Sequence, residues 1–437
     1  MRNLARLLAG TILTMMLAPG LDVQAQERLS VWLPKGAYAA EDAALTALAE
    51  RFQARTGVVV TLSLLAPEEA PAKFTAALEA RSPPDIGFGS SAEAGGAIAW
   101  ASQGRLEDIA DLVAPNSLRY FTAAYESSLL PGPGGKRGHF GLPLRQQGLQ
   151  AAYWLDMLQE AGFSEADIPT DWKSYWGFWC DKVQPALRAK GRRVYGIAQA
   201  AGPQGYDAML GFVAHISAHD AMPVDRDGKL LLGDARARTA LVAALKDYTD
   251  IVQKGCTPPG ALVWNDADNG QAFLKRRTPL ALDTQLGTGL AAPDSLRIGA
   301  WPARPDGKPL AHPVRVIFAT LFAEAQNKPR AREFLAYLAT PDNAAALAEA
   351  GQGRWFPVLR EVAERPYWRQ DERRTALYRQ FALQPAAVLP FVYNAKFAAS
   401  QAETLWHRAV SRVVLDKQAP EQAVDEMVVR VRQLVEG

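Results

Sequence analysis

The chain is 437 residues long, with 49% hydrophobic and 22% charged residues. That length exceeds what one compact core accommodates, so two lobes are expected, and the composition is that of a globular protein rather than a disordered or fibrous one. Lysines and arginines number 48 against 46 acidic residues, a formal net charge of +2 with no basic run or stripe, which argues against nucleic acid as a main partner.

Arg2 and Arg6 precede an apolar run from Leu7 to Ala18, which Pro19-Gly20 breaks and Val23-Gln24-Ala25 follows. This is the pattern of a cleavable secretion signal over residues 1–25, too short to span a bilayer. No cysteine stands near the cleavage site, so no lipid anchor is expected. The expected location is the periplasm. Cys180 and Cys256 are the two cysteines. In an oxidising compartment an even count invites a disulfide, with two separate buried thiols as the alternative.

Arg28 to Leu33 reads as a strand, and Ala43 to Arg55 as a helix with Leu45, Leu48, Ala49 and Phe52 on one face. Thr56-Gly57 stops that helix and Val58 to Leu65 is a second strand. The strand–helix–strand order implies parallel pairing. Pro84-Asp85-Ile86-Gly87-Phe88-Gly89 is a third strand, with Ser90, Ser91 and Glu93 at its carboxyl end. Ligands of open α/β sheets sit beyond that end of the strands. Pro131 to Gly138 is a surface turn. It lacks the Walker spacing, because Leu130 stands where a glycine is needed and no Ser or Thr follows Lys136.

The central block runs Phe140-Gly141-Leu142-Pro143, then a strand through Ala152-Tyr153-Trp154, a short helix ending at Ala161-Gly162, Pro169-Thr170-Asp171-Trp172 opening the next helix, and Tyr195-Gly196-Ile197-Ala198. Further on, Ala235 to Lys254 and Lys328 to Leu338 read as helices, Ile298 to Pro302 and Val316 to Phe322 as strands, and Gly351-Gln352-Gly353-Arg354-Trp355-Phe356-Pro357 as a loop. The tail to Gly437 is mostly helical. Trp172 and Trp176 lie one helical turn apart and read as core.

This block resembles the middle of the extracellular solute-binding proteins of ABC importers, in particular their carbohydrate-binding, maltose-binding-protein-like cluster. Phe52, Thr56-Gly57-Val58, Pro84-Asp85 and the Gly351 to Pro357 loop extend the resemblance over nearly the whole mature chain. Two departures stand out: Trp154 replaces a usual asparagine, and Asp171 separates Thr170 from Trp172. The resemblance implies an α/β, two-lobe periplasmic binding protein fold (type II-like) with the ligand cleft between lobes joined by crossover hinges. It places residues 26–137 and 283–345 in the N-terminal lobe, and 138–282 and 346–437 in the C-terminal lobe. It further implies capture of a sugar or polyol by hinge closure, delivery to ABC permease subunits, a monomer, no cofactor and no catalysis.

A sugar is recognised by aromatic faces that pack on its C–H surface and by planar polar groups that pair with its hydroxyls. Candidates of both kinds stand in loops: Tyr38 after the first strand, Ser90, Ser91 and Glu93 after the third, Arg145 and Gln146 after Gly-Leu-Pro, and Tyr206 after a Gly-Pro-Gln-Gly turn. The rest are the Trp264-Asn265-Asp266 cluster, Asp283 at the crossover with Thr284 and Gln285, and Arg354 and Trp355 in the late loop. Arg145, Arg315 and Arg354 point also to a charged solute: two of them in the cleft would suit a sugar acid or a phosphorylated polyol. A secreted carbohydrate-active enzyme, a metal-chelate binder and a peptide or polyamine binder are the rival classes. His215 and His219 share zinc-ligand spacing, but Ile216 stands where the metalloprotease motif needs glutamate, and no Gly-x-Ser-x-Gly elbow occurs.

Overall fold

Leu29, Val31 and Leu33 are buried while the residues between them are not, the two-residue period of a strand with one face on a core. They belong to β1 (Arg28–Pro34) in a computed structural model that describes residues 27–285 and 293–437. The expected leader lies outside the described residues. Helix α1 (Ala39–Thr56) follows β1 and buries Leu45, Leu48, Ala49 and Phe52, and Gly57 ends it in the left-handed conformation at φ 75°. The chain returns as β2 (Val59–Leu65), paired in parallel with β1 from Arg28 opposite Val59 to Pro34 opposite Leu65. The third strand, β3 (Ile86–Ser90), is buried throughout and also parallel to β1.

A small hairpin, β4 (Leu129–Pro131) and β5 (Arg137–His139), precedes β6 (Leu142–Gln147) and β7 (Gln150–Trp154). The remaining strands are β8 (Ile197–Ala198), β9 (Leu280–Asp283), β10 (Leu296–Gly299), β11 (His312–Leu321), β12 (Phe356–Pro357) and β13 (Ala386–Val388). They form two main sheets. The first is seven-stranded, ordered β12–β6–β11–β3–β1–β2 with β13 on β11; the second is four-stranded, ordered β10–β7–β9–β8. These are the cores of two lobes.

The chain changes sheet at points other than those expected. β6 pairs with β11 in the first sheet, so the first crossing falls at Gly148-Leu149 rather than at Gly138. Ile298 and Gly299, read as returning to the first lobe, pair with Ala152 and Ala151 in the second sheet, and the return comes only with β11. Phe356–Pro357 lies beyond the expected boundary at residue 346 yet pairs with β6. The reason is the same in each case. A short apolar run does not specify its sheet; its pairing partner does.

Helices Tyr206–Ala218, Ala235–Gln253, Leu405–Val414 and Pro420–Glu436 pack together, and the first of them lies against both β9 and β11. Trp172 and Trp176 are buried there, and the Trp172 indole donates to Asp247 at 3.0 Å. Cys180 and Cys256 are joined by a disulfide across a sequence separation of 76. Gly196 lies against this bridge: a Cβ there would sit 2.6 Å from the Cys256 sulfur and 2.6 Å from the Trp179 carbonyl oxygen. Neither atom is the end of a flexible side chain. Gly196→Ala is therefore expected to destabilise the fold by about 1–3 kcal/mol, the usual cost of overpacking, read as a lowered urea midpoint. An unchanged midpoint would show that the backbone gives way freely. Among the described residues, no helix is long and apolar enough to cross a membrane.

Candidate functional site

Between the two sheets lies a cleft of about 280 Å³. One wall comes from the first sheet and its loops: Lys35 after β1, Phe88 in β3, Glu93 just beyond it, Arg145 and Gln147 on β6, Arg315 and Ile317 on β11, and Arg354 and Trp355 before β12. The facing wall is Tyr206, Asp266, Thr284 and Gln285. The cleft opens beyond the carboxyl ends of β1 and β3, where such sheets present loops and free backbone groups.

The floor is an ion-pair network around a residue the sequence reading missed. Glu41, in the first turn of α1, is only 4% exposed. Arg145 reaches it at 2.9 Å, Arg354 Nη1 donates to its Oε1 at 2.9 Å, and the Trp355 indole donates to its Oε2 at 2.6 Å. Burial opposes the charge on Glu41, but Arg145 and Arg354, with the indole hydrogen bond, outweigh it and hold the carboxyl below its usual range. Burial brings Arg145 down to about 10, against the pull of Glu41 and with a push from Arg354 and Arg315. It remains a cation at neutral pH. The two guanidiniums also lie over the Trp355 ring, at 4.3 Å for Arg145 and 4.7 Å for Arg354.

A second cluster ties the walls together. Arg315 donates to Ser90 Oγ at 3.1 Å, to Gln147 Oε1 at 3.2 Å and to Glu93 Oε1 at 3.1 Å. Tyr206, at the start of its helix in the second lobe, places its ring 3.9 Å under the Arg315 guanidinium and donates its hydroxyl to Glu93 at 3.2 Å. Burial, reinforced by Glu93, raises the Tyr206 phenol. Across the cleft, Asp266 Oδ1 accepts from the Asp207 amide at 2.9 Å, and burial raises its carboxyl. Asp207 itself is buried, and burial followed by repulsion from Asp283 and Asp266 raises it strongly. It accepts from Asn269 at 2.8 Å and from the Thr284 hydroxyl at 2.6 Å.

Of the sequence candidates, Glu93, Arg145, Tyr206, Asp266, Thr284, Gln285, Arg315, Arg354 and Trp355 line the cleft. The others do not. Tyr38 stands beside it and donates to the Gln285 carbonyl at 3.0 Å. Ser90 and Ser91 are fully buried; Ser91 Oγ accepts from the Val316 amide at 2.9 Å, and Ser90 Oγ accepts from Arg315, so both hydroxyls fasten β3 to β11. Gln146 points to the opposite face of β6, donating to the Pro357 carbonyl at 2.9 Å, and strand alternation gives the cleft Gln147 instead. Trp264 is half-buried beside Gly202, where a Cβ would sit 2.3 Å from the Trp264 carbonyl oxygen. Asn265 is exposed and accepts from the Ala267 amide at 2.8 Å, closing a turn. Asp283 is 1% exposed, beneath the wall rather than on it, and accepts from the Gln285 amide.

The two histidines with zinc-like spacing engage different partners. His215 hydrogen-bonds the Gly211 carbonyl at 2.8 Å, and His219 pairs with Asp247 at 2.8 Å.

The sequence pattern of bacterial extracellular solute-binding proteins matches residues 47–376. Curated protein sequences give no match. Among solved structures, an ABC transporter solute-binding protein from Thermotoga lettingae TMO bound with alpha-D-tagatose superposes with a TM-score of 0.74. It shares 19% identity over 94% of this chain and 100% of that one. Maltose-bound MalE3 of T. maritima gives 0.73 at 16% identity, covering 93% and 99%. The GacH receptor of Streptomyces glaucescens GLA.O gives 0.73 at 18%, covering 94% and 99%. At these identities the likeness is one of fold, while the sequence match extends over most of the chain. The chain belongs to the bacterial extracellular solute-binding proteins and has their two-lobe architecture.

Proposed function

We propose that this protein is the substrate-binding component of an ABC importer that captures a small polyhydroxylated solute, a sugar or polyol, by closing its lobes around it. The observation that carries this reading is the construction of the cleft: its polar groups come from both sheets and already meet across it at Tyr206 and Glu93. Planar groups such as Gln147, Asp266 and the arginines can each exchange paired hydrogen bonds with adjacent hydroxyls. A buried group left unpaired costs about 1–3 kcal/mol, which separates one epimer from another. The structural neighbours bound with tagatose and with maltose support the sugar class.

In this reading the lobes swing about the sheet crossings at Gly148-Leu149 and between β10 and β11, and closure is favoured only by the ligand's differential affinity for the closed state. No bond is made or broken on this chain. The protein acts as a monomer outside the cytoplasmic membrane, after loss of residues 1–25, and presents both lobes to membrane permease subunits.

The test is a thermal-shift screen of the mature protein against sugars, polyols, sugar acids and sugar phosphates, with zinc, calcium and amino acids as controls, followed by small-angle scattering with the best ligand. Ligand at a hundred times its Kd adds about 2.7 kcal/mol of stability. The expected result is a rise of several degrees with one class and a smaller radius of gyration in its presence. A rise only with a metal ion or an amino acid would sink the carbohydrate assignment.

A further inference from the structure

The aromatic faces that a neutral sugar would use are already covered. Trp355 is 2% exposed, with two guanidiniums over its ring. The Tyr206 ring carries the Arg315 guanidinium at 3.9 Å. A neutral pyranose packs its C–H face on an open ring, and here Arg145, Arg315 and Arg354 occupy those positions.

The charges around the cleft do not balance. Arg315 is matched by Glu93. Arg145 and Arg354 share the single carboxylate of Glu41. Exposed Lys35 adds a cation at the rim, and Asp266 a carboxylate on the opposite wall. Counting the lining residues together with Glu41, the surplus is one positive charge, located where Arg145 and Arg354 meet; Asp207 and Asp283 lie beneath the facing wall and outside this count. The Arg354 Nε is also buried, with no hydrogen-bond partner among the described residues. Arg354 also lines the cleft, so an anion bound there can pair with the exposed part of its guanidinium. At about 280 Å³ the space lies at the small end of ligand pockets, roughly 300–1,000 Å³, and suits a monosaccharide rather than an oligosaccharide.

We propose that the solute is a monosaccharide-sized sugar acid, with its carboxylate held by Arg354 and Arg145 and its hydroxyls by Glu93, Gln147 and Asp266. This rests on the reading of the cleft as a solute site and narrows its ligand class. A carboxylate brings the one negative charge that the surplus calls for. A phosphate monoester brings about 1.5–2 at neutral pH and would leave a net negative charge against Glu41, Glu93 and Asp266.

The test is isothermal titration of the mature protein with matched probes: gluconate, galactonate and glucuronate, the neutral glucose, galactose and sorbitol, and glucose 6-phosphate. An acid is expected to bind at least on the order of tenfold more tightly than its neutral counterpart, the value of one charge-assisted hydrogen bond, and to weaken as salt is raised. Arg354→Gln is expected to weaken acid binding by more than it weakens neutral-sugar binding, so that the acid-to-neutral affinity ratio falls, and Arg354→Lys to restore part of that ratio. The comparison on the unaltered protein decides the matter even if a variant folds poorly. Equal or tighter binding of a neutral sugar would overturn the acid assignment and leave the sugar-binding function standing. Tighter binding of the phosphate would overturn the carboxylate. Binding of none of these probes would overturn both the acid assignment and the solute-site reading beneath it.

Discussion

Replacing Glu41 with alanine is expected to cost about 3–5 kcal/mol, the penalty of removing one partner from a buried ion pair. The Glu41 side chain is 2% exposed, and those of Arg145 and Arg354 are 13% and 15% exposed, so solvent screens the pairs little. The variant leaves two guanidiniums and the Trp355 indole without their common acceptor. Because the folded-state carboxyl lies below its ordinary value of 4.5, its contribution is fully present above that value and is lost as pH falls through the lower folded one. The gap in stability between the natural protein and Glu41→Ala should therefore be constant near neutrality and shrink in acid. Urea unfolding at several pH values measures both effects. A midpoint equal to that of the natural protein at pH 7 would remove Glu41 from its role as keystone of the floor.

Converting both cysteines to serine is expected to cost about 4.5 kcal/mol, the chain-entropy value for releasing a loop of 76 residues. For a lobe of roughly 200 residues this corresponds to a fall in Tm of roughly 10–18 °C. Cys256 is fully buried and Cys180 is 7% exposed. Reductant should therefore reproduce the loss only after local opening, slowly in the cold and quickly near the transition. Calorimetry of Cys180→Ser/Cys256→Ser, beside the natural protein with and without reductant, reads this directly. A change of only a degree or two would mean that packing around Trp179, rather than the bridge, holds this region together.

Much of the site was within reach of sequence reasoning. Glu93, Arg354 and Trp355 are polar or amphipathic residues outside the strands, Arg145 follows the Gly-Leu-Pro tripeptide on β6, and the pattern of the early strands put the cleft beyond their carboxyl ends. Glu41 also left a signal that went unread. It stands four residues before Leu45 on the buried face of α1, and a charge on an apolar stripe needs a partner. Arg315 is the same kind of signal, a lone charge inside the apolar run of β11. Gln146 and Gln147, by contrast, are chemically identical neighbours. Only the register of β6 against β11, with Arg315 opposite Gln147, and the irregularity after Ile317, set which one faces the cleft.

The sequence by itself determined the family and most of the helices and strands, because these depend on local periodicity, caps and short-range motifs. Only the tertiary structure decided which sheet each short strand joins and which side chains converge. β10 is four residues long and largely apolar, and nothing local distinguishes the sheet it enters; its partner β7 does. Glu41 and Arg354 are 313 residues apart in the chain and 2.9 Å apart in space. No local rule spans that separation. The contact exists because two strands and a helix terminus bring buried charges together, and buried charges persist only where they find one another.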